Sequence, residues 1–102
     1  MRRVYENIRR RIGMNFGEAI EYVKNGAKIH RDGWNGKGMF VYYVPKGSYA
    51  PYSEVAKEIV NSDGLVDYEP YLAIKNVKGT VSTWVPSIND VLAEDWNVDI
   101  KF

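Results

Sequence analysis

Ten residues, RDGWNGKGMF at 31–40, set one tryptophan among three glycines and beside an Asn-Gly pair. A second tryptophan, Trp84, stands in STWVPSIND, residues 82–90, among hydroxyl, amide and carboxyl side chains. An indole face can carry a stacked nucleobase, a contact of about 1–3 kcal/mol that does not depend on the base. Hydroxyls, amides and a carboxylate beside the ring would then read ribose hydroxyls or a base edge. Core packing accounts for the same tryptophans, since this side chain is large and seldom fully buried. The residue types alone leave the two readings open. On the first reading the glycines leave one face of Trp34 unobstructed. For Trp96, which alternates with Val98, Ile100 and Phe102, core packing is the reading adopted.

Other chemistries find less material. His30 is the only histidine, and a lone histidine in a strand is read as structural. With no cysteine and no second histidine, neither a thiol nucleophile nor an imidazole metal site can be assembled. Ser, His and Asp occur, but in no nucleophile-elbow context. Asp67 and Glu69, or Glu94 and Asp95, are too close along the chain to face one another and share a proton. GWNGKG has the glycine density of a phosphate loop, yet such loops lead into a helix, and here β-forming residues follow. Lys37 could still meet a phosphate as a point charge. No catalytic residue, metal or cofactor is expected.

The chain has 102 residues, enough for one domain with a thin core that oligomerisation would help. Net charge is +1, unevenly spread. Residues 1–13 carry five arginines and one glutamate, and the remainder carries nine basic and twelve acidic residues. We read 1–13 as a basic N-terminal extension and 14–102 as a single domain. The absence of cysteine fits a reducing cytoplasm. No apolar run reaches transmembrane length, so no membrane partner is expected.

The elements that must position the tryptophans follow from pattern. Asn15 and Glu18 form a capping-box variant before Phe16, Ala19, Ile20 and Val23, which predicts a helix over 16–24 closed by Gly26. AKIHRDGW and GMFVYYVP read as strands joined by a tight turn at Asn35-Gly36. In 51–64, Ser53 caps a short helix with Val55, Ile59 and Val60 facing inward, ended by Asp63-Gly64. YLAIKN and TVSTWVP form a second hairpin. Ser87 and Asp90 open a helix over INDVLAED, and WNVDIKF closes the chain as a strand. The expected class is α+β, an antiparallel sheet of about five strands with two or three short helices.

Three of these stretches carry a resemblance. MNFGEAIEYVKNGAKIHRDGWNGKGMFVYYVP, VDYEPYLAIKN and TWVPSINDVLAEDW, in that order, resemble the phage Thoeris anti-defence proteins of the second type. The similarity runs from Met14 to about Val98. Its most specific parts are GWNGKGM and W-x-P-S-x-x-D-x-L-A-E-D-W. The resemblance implies a small, mostly β binding protein rather than an enzyme, assembled as a homotetramer. Such proteins act as sponges. They hold a cyclic nucleotide immune signal, of glycocyclic ADP-ribose type or a cyclic oligonucleotide, without cleaving it. Carried over by position, Trp34 and Trp84 would stack on the ligand. Asn89 and Asp90 would supply polar contacts, with Asn35, Lys37 and Ser87 as further candidates, while Trp96 stays structural. Asp90 has a competing role as the helix cap. Residues 1–13 precede the usual family start, and 46–66 depart most from its pattern.

Two other readings stand beside this one. A single-stranded nucleic-acid module would use the arginines of 1–13 with exposed aromatics, and the acidic balance of the rest opposes it. A structural oligomer would spend all three tryptophans on subunit contacts.

Overall fold

The computed structural model describes residues 8–34 and 37–101. Strand β1 (Ile8–Met14) leads into helix α1 (Phe16–Lys24), followed by β2 (Lys28–Arg31) and β3 (Phe40–Val44). Short strands β4 (Gly47–Tyr49) and β5 (Val66–Tyr68) flank a 3-10 turn at Ala56–Ile59. Strands β6 (Tyr71–Lys75) and β7 (Val81–Thr83), helix α2 (Ile88–Leu92) and strand β8 (Trp96–Lys101) complete the α+β order. The main sheet runs β1-β8-β2-β3-β6-β7 and every neighbouring pair in it is antiparallel. β4 and β5 pair separately.

Helix α1 starts where its caps dictate. The Asn15 carboxamide accepts from the Glu18 amide at 2.8 Å, and the Glu18 carboxylate accepts from the Asn15 amide at 3.1 Å. Two of the orphan donors of the first turn are thereby satisfied. The helix lays Ala19 and Val23, both fully buried, on a sheet face formed by Ile29, Val41, Trp96 and Val98. Side chains alternate across a strand, so Lys28, His30, Phe40, Lys75 and Asp99 take the opposite face.

The structure departs from the sequence reading in three places. The sheet has six strands with a separate two-stranded pair, not about five. β4 and β5 are three residues each, too short to show alternation. Residues 8–13 of the expected basic extension belong to β1, the edge strand paired with β8. β2 and β3 pair antiparallel through Ile29 and Val41, as the expected hairpin requires. β2 stops at Arg31 because the next amides are drawn to Asp95: Asp32 donates to its carbonyl at 3.3 Å and Gly33 to its carboxylate at 2.9 Å. β3 begins at Phe40. Asn35 and Gly36 themselves lie outside the described residues. Finally, Val55, Ile59 and Val60 face solvent, at 74%, 65% and 39% exposure, and not the core. Four residues of 3-10 turn present no continuous face, and its neighbour is β5, not the main sheet. Ser53 still caps that turn, accepting from the Ala56 amide.

Candidate functional site: an aromatic corner braced by Arg31 and Asp90

Trp96, wholly buried at the start of β8, is the centre of the site. Trp34, just past β2, meets it edge-on with ring centroids 5.4 Å apart. Trp84, just past β7, meets it edge-on at 6.1 Å. Trp34 and Trp84 contact each other at 6.3 Å with their planes 67° apart. Phe16, the first residue of α1, closes the back of the group against Trp84 and Trp96. Edge-to-face packing of this kind is the arrangement the ring quadrupoles favour. Trp34 and Trp84 are only partly buried, so the pair makes two walls of a corner rather than parallel jaws.

Helix α2 supplies the polar side. Ser87 and Asp90 form the expected capping box: the Asp90 amide donates to the Ser87 hydroxyl at 3.1 Å, and the Ser87 amide donates to the Asp90 carboxylate at 3.0 Å. The other Asp90 oxygen accepts from the Arg31 guanidinium at 2.9 Å and from the Trp34 indole N–H at 3.3 Å. The Trp96 indole donates to the Asp90 carbonyl at 2.9 Å. One buried carboxylate therefore caps a helix, neutralises an arginine and orients a tryptophan.

Arg31 is shared. Its Nε donates to the Asp95 carboxylate at 2.8 Å, whose second oxygen accepts from the Gly33 amide. A planar guanidinium suits this fork between two carboxylates, where a lysine ammonium would not. The two carboxylates raise the Arg31 pKa further. Burial pushes Asp90 up, but the Ser87 amide, Arg31 and Trp34 outweigh it and hold the carboxyl below its usual range. Asp95 is held low chiefly by Arg31, against a smaller effect of burial.

The expected residues fall into three groups. Trp34, Trp84 and Asp90 come together, with Ser87 beside them as the cap. Asn89 lies exposed on α2 and Lys37 exposed in the 32–39 connection. Asn35 lies outside the described residues. A β-carbon at Gly33 would lie 3.1 Å from the Asp95 carboxylate and 3.3 Å from Arg31, so Gly33 clears space for the ion pair. Arg31, Asp95 and Phe16 were not anticipated. The signal for Arg31 was available: it shares the core face of β2 with Ile29, and an inward arginine requires carboxylates. Among the described residues no group of His, Asp and Glu is placed to hold a metal ion, and no helix is long and apolar enough to cross a membrane.

These features define a small α+β domain with an aromatic corner braced by an ion-pair network. Residues 14–98 match the Thoeris anti-defense 2-like domain, and the chain belongs to that family of anti-defence proteins. It is 37% identical over 90 residues to Thoeris anti-defense 2 of Bacillus phage SP01, an alignment covering 83% of this chain and 93% of the phage protein.

Proposed function

We propose that this protein captures a cyclic nucleotide immune signal, of glycocyclic ADP-ribose type or a cyclic oligonucleotide, and holds it without chemical change. The carrying observation is the Trp34–Trp84 corner, two partly exposed indoles whose orientation is set by Trp96 and Asp90. A base stacked on one indole would meet the edge of the other. The exposed Asn89 and Ser87 on and before α2 would supply hydrogen bonds to ribose or phosphate, with Lys37 as a point charge. Asp90 acts by holding Trp34, because its carboxylate is already engaged by Arg31, Trp34 and Ser87. Family membership supports the anti-defence setting. Sequestration in the host cytoplasm, with the signal left intact, belongs to the same reading.

Assembly into a homo-oligomer, a tetramer by family resemblance, belongs to the same reading. Val85, Ile88 and Leu92, next to Trp84, are 84%, 69% and 72% exposed. Apolar side chains left open beside a shallow corner suit a subunit contact that would deepen it. Light scattering would count the chains, and a stable monomer contradicts this part.

The capture test is direct. The protein is incubated with glycocyclic ADP-ribose, freed of unbound ligand and heat-denatured. Intact signal in the supernatant is the expected result. A linear product would make the protein an enzyme, and no recovery would overturn capture of this signal.

A further inference from the structure

The opposite face of the sheet holds a second cleft, remote from the tryptophans. It encloses about 400 Å³ and is lined by Lys28, His30, Phe40, Lys75 and Asp99 with Gly38 and Met39 at its rim. That volume lies within the range of small-molecule sites. Lys28 and Lys75 bring their ammonium groups to 4.6 and 5.7 Å from the centroid of the Phe40 ring. Lys75 also donates to the Gly38 carbonyl at 3.3 Å, which fixes its head group. His30 Nε2 lies 3.6 Å from the Asp99 carboxylate.

We infer that this cleft binds the phosphoryl group of a small sugar phosphate. Lys28 and Lys75 each bring an ammonium group close to the Phe40 ring, and a dianion seated in the cleft beside that ring would be attracted by both. The lysines exceed the single carboxylate of the lining, so the cleft favours an anion. Phe40 offers an apolar floor for the C–H face of a sugar, and Asp99 can accept from a sugar hydroxyl. The cations stand on β2 and β6, brought together by strand pairing through β3.

Titration of the isotopically labelled full chain with ribose 5-phosphate, and separately with inorganic phosphate, at constant ionic strength tests this. Saturable shifts of the amides at 28–30, 40 and 75 are expected, with the Trp34 indole N–H unmoved. The Lys28→Gln/Lys75→Gln protein, shown folded by its own spectrum, should bind about tenfold or more weakly. Lys46→Gln/Lys57→Gln, which changes as much charge elsewhere, should bind normally. Tighter binding of ribose 5-phosphate than of phosphate assigns the sugar contacts to Phe40 and Asp99, and equal binding limits recognition to the phosphoryl group. Shifts that never saturate, or that persist in the Lys28/Lys75 variant, overturn the assignment. So does tighter binding of a single-stranded oligonucleotide than of either small phosphate.

Discussion

Arg31 and Asp90 stand 59 residues apart in sequence and 2.9 Å apart in space. Their contact ties the end of β2 to the first turn of α2. With about a fifth of Arg31 and an eighth of Asp90 accessible, it is largely withdrawn from water. Removing one partner leaves the other charge poorly solvated, which costs more than a surface pair would.

Arg31→Ala should therefore destabilise the fold by about 2–3 kcal/mol, read from urea unfolding midpoints at constant slope. Arg31→Lys should recover only part of that, because one ammonium cannot serve Asp90 and Asp95 in the same planar geometry. A loss under about 0.5 kcal/mol for Arg31→Ala would mean that the pair behaves as a surface contact.

Acid should act on the same network. Asp90 and Asp95 are both held below the usual carboxylate value, so between the folded and unfolded pKa values the unfolded chain binds more protons. Their contribution is complete above the unfolded value of about 3.9 and disappears as pH falls through the folded values. Unfolding midpoints measured from about pH 6 down to about pH 2 should fall across that window, and Asp90→Asn should flatten the profile. A wild-type profile flat over the same range would contradict the assignment.

The three tryptophans should separate by role. Trp96→Ala removes a wholly buried indole and should cost about 3–5 kcal/mol. Trp34→Phe keeps a ring against Trp96 but loses the donor to Asp90, so the protein should stay folded and hold its signal less tightly. Retention of full binding by both Trp34→Phe and Trp84→Leu, measured by calorimetry, would remove the indoles from the ligand site.

The two capping boxes make a matched pair of tests. Asn15→Ala and Ser87→Ala should each lower stability by about 1 kcal/mol. Only Ser87→Ala should also loosen Trp34, detectable as a shift of its fluorescence, since Asp90 links the cap to that indole.

Local patterns were readable from the chain, and long-range pairings were not. Asn15, Glu18 and the spacing of Phe16, Ala19 and Val23 mark α1 because caps and helical period are written within a few residues. The same holds for Ser87 and Asp90 at α2 and for the alternation in β8. Trp34, Trp84 and Asp90, expected in one place, do come together. What escaped was the partner of each. Arg31 finds Asp90 and Asp95 only because β8 inserts between β1 and β2, an order that no local signal encodes. Val55, Ile59 and Val60 misled for the converse reason: an apolar spacing suggests a buried face, but burial requires another element to cover it.

Five residues are too few to hold a helical conformation in water unaided. α2 thus inherits its order from the sheet, through Arg31, Trp34 and Trp96, and its amide protons should exchange only when that tertiary contact opens. A guest seated beside Trp84 would find its surroundings already immobile. Little of its association free energy would then be consumed in freezing them.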